Sequence, residues 1–276
     1  MSKLLKYEFR RSRTIFLGIA GIAVIINAIF LIGYALDIDS LFSIGLISGI
    51  LCIGFGSTAV LIFSVINFNE DISKRQGYLL FSIPRSNKQI IGAKLITTLI
   101  AFAGLTILFA ILISIDLAYS IYQNGSHYVG VLQVMFWDTT LTGEELYKTL
   151  FTASHFLGVC LIILDYIFSF LCKVVLAYLA IVLTKTLLGN RKGRIFLALV
   201  IWCAATFGLS LLGNVLTAFF LVDYNTTNYS AIDSIASITD YFCQSALYLP
   251  TILVNIVACI GGFFLTDWLT NKKLSL

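Results

Sequence analysis

The sequence predicts an all-α, polytopic membrane protein, and three observations carry that reading. Of its 276 residues, 59% are hydrophobic and only 12% are charged, with a mean hydropathy of +0.97, far from the balance of a soluble globule. The apolar residues gather into six runs of spanning length. Finally, two prolines and 22 phenylalanines suit long helices, and the runs lack the alternation of apolar and polar residues, in segments of roughly ten, that marks a transmembrane β-barrel.

At the start, Lys3, Lys6, Arg10 and Arg13 recur at helical spacing, with Leu5, Phe9 and Phe16 on another face. This stretch is read either as an amphipathic helix on an anionic leaflet or as the basic flank of the first span. No cleavage site of the A-x-A kind follows it, so the first apolar run is expected to be retained. The spans are placed at about 14–36, 41–66, 90–115, 155–184, 195–222 and 248–265. In the second, Gly45, Gly49, Cys52 and Gly56 form a stripe of small residues suited to close helix packing or to a substrate-facing groove. Between the third and fourth spans lies an outer loop, 116–154, with Asp138, Glu144 and Glu145 against one base, Lys148. A polar turn, KTLLGNRKGR, precedes the fifth span. The outer loop 223–247 has no Lys or Arg, and Ile232, Ile235, Ile238 and Phe242 share one face of an expected amphipathic helix. Pro250 suits the first turn of the sixth span.

The charges fix the predicted orientation. Of 18 Lys and Arg, 16 fall before the first span, between Lys74 and Lys94, between Lys185 and Arg194, or at the C-terminus. That asymmetry predicts both termini in the cytoplasm of a multi-pass cell-membrane protein. Five of the six cysteines, Cys52, Cys160, Cys172, Cys203 and Cys259, lie inside apolar runs, and no CxxC spacing occurs, so they read as small buried side chains rather than metal or redox sites.

The segment 69–94, NEDISKRQGYLLFSIPRSNKQIIGAK, is an island of charge between apolar runs. Asn69 reads as an N-cap with Glu70 and Asp71 in the first turn of a separate helix over about 70–82. Glu70 precedes Lys74, and Asp71 precedes Arg75, by four residues, the order that favours ion pairs on a helix surface. Tyr78, Leu79 and Phe81 add apolar and aromatic area, and Pro84 stops the helix ahead of Arg85. Ser86, three residues before Gln89, has capping-box spacing for the next helix. Such a helix, hung between two spans, is suited to a soluble partner's grip.

No GxxxxGK[ST] sequence occurs, so the chain has no P-loop, and no HExxH motif is present. An enzyme is not expected, nor a metal, a cofactor or a nucleic-acid partner. Asp165 and Lys173 are the only charges deep in an apolar run, where each costs at least about 2.5–3.5 kcal/mol. About 12 Å of rise and 80° of rotation separate them, so they are not expected to pair. Each should face the protein interior or a wet cavity, with Asn27, Asn214 and Asn255 as candidate partners. They are read either as structural polar contacts between helices or as the lining of a pathway.

In its basic N-terminal helix, its six spans, the segment GYLLFSIPRSNKQIIGAKL and a helical outer loop before the last span, the chain resembles the membrane subunit of a type-2 ABC exporter. The resemblance implies cytoplasmic ABC ATPase subunits as partners, with ATP and Mg bound there, and a second permease copy or a sister permease in the membrane lipid. It implies a coupling role for Glu70, Asp71, Lys74, Arg75, Tyr78, Leu79, Phe81 and Arg85, with Pro84 and Lys94 fixing the start of the third span. Arg191 and Lys192 would make a second cytoplasmic contact. The cargo implied is a drug, lipid or peptide. Against this stand a self-contained channel or proton-coupled carrier using Asp165 and Lys173, and a non-transporting anchor or sensor of the same architecture.

Overall fold

The computed structural model describes residues 2–36, 39–73, 87–124, 153–189, 193–228 and 248–273. These residues form six helices: α1 (Ser2–Ala35), α2 (Asp39–Ser73), α3 (Asn87–Asn124), α4 (Ala153–Leu188), α5 (Arg194–Asn228) and α6 (Leu249–Lys273). Five of them, all but α2, carry described stretches long and apolar enough to cross a membrane. The predicted all-α architecture of a multi-pass membrane protein therefore holds at this level.

Several boundaries differ from those expected. The basic N-terminal stretch and the first apolar run are one unbroken 34-residue helix, because no Gly or Pro occurs between Ser2 and Leu17 to interrupt it. α2 does not stop near residue 66 but runs through Asn69 to Ser73, drawn on by Phe68 and Ile72, which are both fully buried. Asn69 is thus inside a helix and is not an N-cap. Likewise α3 extends to Asn124, α5 to Asn228 and α6 to Lys273, which shortens both outer loops and puts Asp267 and Lys272 on a helix. Pro250 lies in the first turn of α6 as expected, where its missing N–H leaves no helical bond unmade. The remainder of the expected 70–82 helix, the second outer-loop helix, and Lys74, Arg75, Tyr78, Leu79, Phe81, Arg85, Arg191 and Lys192 lie outside the described residues. So does the Ser86 cap.

The chain divides into two compact units. The first comprises Met1–Tyr119, Ala177–Ile195 and Leu265–Leu276. Here α1 packs along α2, with Phe16 edge-on to Phe63 at 6.0 Å. A Cβ on Gly56 would stand 3.2 Å from the Phe109 ring, so α2 and α3 approach closely at the one residue of the small-residue stripe whose surroundings are described. Phe68 stacks on Tyr178 with centroids 4.0 Å apart at the centre of this unit. The start of α3 meets the end of α6 through Asn87 to Asn271 at 2.8 Å and Lys88 to Asp267 at 3.8 Å. In the turn after α4, Gly189 (φ +62°) and Gly193 (φ +100°) occupy the left-handed region, and the Gly189 N–H closes α4 on the Lys185 carbonyl at 3.0 Å.

The second unit comprises Ser120–Leu176 and Phe196–Phe264. Its described part is four helical segments: the end of α3, and parts of α4, α5 and α6. Gly262 lets α6 lie against Val175, whose methyl would be 2.8 Å from an added Cβ, and Gly213 lets α5 approach Thr251 to 3.3 Å on the same measure. Trp202 Nε1 donates to the Lys173 carbonyl at 2.9 Å, tying α5 to α4. Phe207, Leu211, Leu212, Val215 and Phe219 of α5 are exposed, an apolar face of the kind that lipid solvates.

Candidate functional site

Two polar assemblies stand out against the apolar background, one in each unit. The first closes the C-terminal end of α2. Glu70 and Asp71 fall in the last turn of α2, where the partial negative charge of a helix C-terminus disfavours acids. Four bases from four other helices compensate. Arg11 of α1 forks, donating from Nη1 to Asp71 and from Nη2 to Glu70, both at 2.9 Å. Lys94 of α3 donates to Glu8 of α1 at 2.8 Å and also pairs with Asp71. Lys185 of α4 donates to the Ile72 carbonyl. Arg194 of α5 donates to the Asn69 side-chain carbonyl at 2.7 Å.

Burial makes this more than a surface network. The side chains of Lys94 and Glu8 are 4% and 7% exposed, so neither charge can rely on water. One turn and more further into the unit, Ser64 bonds to Thr98 at 2.7 Å and to the Tyr178 hydroxyl, so the polar chain continues from the ion pairs into the apolar core. Glu70 and Asp71, expected on the free surface of a separate coupling helix, are instead engaged inside the chain. The sequence pattern misled because an Asn followed by two acids is a helix-start signature only when no distant base neutralises them.

The second assembly is a groove of about 280 Å³ in the second unit. Three polar stripes face it, each at a spacing of four residues: Asp165, Ser169 and Lys173 on α4; Thr206, Ser210 and Asn214 on α5; Thr251 and Asn255 on α6. Four-residue spacing stacks side chains on one helix face, so each helix turns a polar ridge inward. The structure thus brings Asp165, Lys173 and Asn214 to one site, with Asn255 beside them, while Asn27 belongs to the other unit. Thr206 and Thr251 bond to carbonyls of their own helices at 2.9 and 2.8 Å. Asp165 Oδ1, by contrast, is buried with no hydrogen-bond donor among the described residues. A carboxylate oxygen so placed is strongly disfavoured unless a donor comes to it.

No family model matches this chain, and no curated protein or solved structure matches it. The geometry of the two assemblies is therefore the ground for a functional reading. Ser169, Thr206, Ser210 and Thr251 escaped the sequence reading, although their spacing from Asp165, Asn214 and Asn255 was the available signal.

Proposed function

We propose that this chain is the transmembrane subunit of an ATP-driven exporter of the ABC type, with six spans and both termini cytoplasmic. A separate cytoplasmic ATPase would supply the ATP and Mg site, and a second permease copy or a sister permease would complete the membrane part. One observation supports this best: the charged segment 74–86 is strung between α2 and α3, and the Asp71–Lys94 ion pair joins those helices at its base. Through Arg11 and Glu8 the same cluster includes α1. A push on the segment would be delivered to three helices together.

Affinity purification of the full chain from its own membranes, with identification of associated chains, tests the reading. A P-loop ATPase is expected in stoichiometric amount. Replacing Tyr78, Leu79 and Phe81 together with alanine should release it while leaving the permease inserted. Absence of an ATPase, or its full retention by the triple variant, would overturn the proposal.

The groove favours a second reading, a proton-coupled carrier that uses Asp165 and Lys173. In that case proteoliposomes holding the chain alone would sustain transport driven by a proton gradient without ATP.

A further inference from the structure

We infer that the groove of the second unit is a binding site for a short zwitterionic peptide, its N-terminal ammonium held by Asp165 and its C-terminal carboxylate by Lys173. As a substrate class this rests on the transport reading above. As a binding event it concerns the chain alone.

Asp165 lines the groove and its Oδ1 has no donor among the described residues, so a groove ligand that donates hydrogen bonds complements this carboxylate, and an ammonium offers three. Lys173 lines the same groove eight residues along α4, about 12 Å of rise away. One wall thus presents a negative group and a positive group, separated by two turns, with Ser169 between them in sequence. The complementary ligand carries a cation and an anion at comparable separation. A single amino acid is too short, because its charges are less than one residue length apart. An extended chain covers about 3.3–3.6 Å per residue, so three residues reach about 10 Å, and the flexible lysine stem accommodates the remainder.

The opposite walls suit a peptide backbone. Asn214 and Asn255 each present an amide with both donors and an acceptor, which matches alternating N–H and C=O groups. The volume fits as well: at about 30 Å³ per water, 280 Å³ holds roughly nine waters that a tripeptide would displace. An ammonium-bearing lipid headgroup offers the same cation, but its phosphate sits too close to reach Lys173.

Binding of trialanine to the full chain would be measured by isothermal titration calorimetry. The chain would be held in nanodiscs of phosphatidylcholine and phosphatidylglycerol, which bring no primary ammonium. Trialanine with free termini should bind at least about 10-fold more tightly than its N-acetylated or its C-amidated form, since each cap removes one charge-assisted contact. Asp165→Asn should erase the penalty of acetylation, and Lys173→Met the penalty of amidation, each leaving the other penalty in place. Free and capped peptides binding within twofold of one another, or no heat from trialanine at millimolar concentration, would overturn the proposal. The comparison of capped peptides on the unsubstituted chain decides the matter even if a variant fails to fold. Because no ATPase takes part, a failed peptide test leaves the ATPase association standing, and a failed association leaves peptide binding standing.

Discussion

Replacing Lys94 with methionine is expected to be among the most damaging single changes in the first unit. Its Nζ lies 2.8 Å from Glu8 Oε1 and also contacts Asp71, with side-chain exposures of 4%, 7% and 14% for Lys94, Glu8 and Asp71. At an effective dielectric constant of about 20, a pair at 2.8 Å attracts by about 6 kcal/mol, most of it offset by the desolvation of both ions. The loss in the variant is set less by that attraction than by what remains. Asp71 keeps Arg11, whereas Glu8 stays buried without its lysine. Removing one partner of a buried pair costs about 3–5 kcal/mol, whereas removing both costs little, so Glu8→Gln combined with Lys94→Met should return to within about 1 kcal/mol of the parent. Thermal unfolding in nanodiscs, followed by tryptophan fluorescence, reads the difference. With roughly 2–4 °C per kcal/mol for a chain of this size, the single variant should lose about 6–20 °C and the double variant no more than about 4 °C. A Lys94→Met protein melting within 2 °C or so of the parent, a shift worth only about 1 kcal/mol, would refute the reasoning. A double variant falling as far as the single one would do the same.

The two adjacent glycines of α6 should behave oppositely. A Cβ at Gly262 would stand 2.8 Å from a Val175 methyl, so Gly262→Ala should cost about 1–3 kcal/mol and be partly rescued by Val175→Ala. At Gly261 nothing lies within 4 Å, and Gly261→Ala should be neutral or gain up to about 1 kcal/mol from helix propensity; equal melting temperatures for the two variants would refute the packing described. Tyr178→Phe removes a buried hydroxyl bonded to Ser64, but Ser64 keeps Thr98, so a loss of only about 0.5–1.5 kcal/mol is expected; an apparent loss beyond about 3 kcal/mol would show that Ser64 depends on the tyrosine.

Most of the helices were legible in the sequence, because an apolar run of spanning length has few other outcomes. The ends were less so. Residues near a helix terminus are decided by whoever meets them in space, and Asn69, Glu70 and Asp71 were decided by Arg11, Lys94 and Arg194. Arg11 and Glu70 are 59 residues apart, a separation at which no periodicity survives. In the groove, Asp165 and Lys173 were conspicuous because ionisable groups are rare in apolar runs, and Asn214 and Asn255 because amides are. Ser169, Thr206, Ser210 and Thr251 were hidden by their commonness, since a small hydroxyl in a membrane helix normally bonds its own backbone, as Thr206 and Thr251 do.

The closure of α2 also imposes an order on synthesis. Arg11 is made before the acids it serves and Lys94 soon after, but Lys185 and Arg194 follow their partners by 113 and 125 residues. At about 5–20 residues per second, the Ile72 carbonyl and the Asn69 amide wait roughly 6–25 s for their donors. During that interval the first three helices are already in the bilayer with the end of α2 half fastened. The last two bases arrive on either side of one short turn, so a single insertion event completes the joint. A nascent chain stalled before Lys185 would lack both the Lys185 and the Arg194 donors to the last turn of α2.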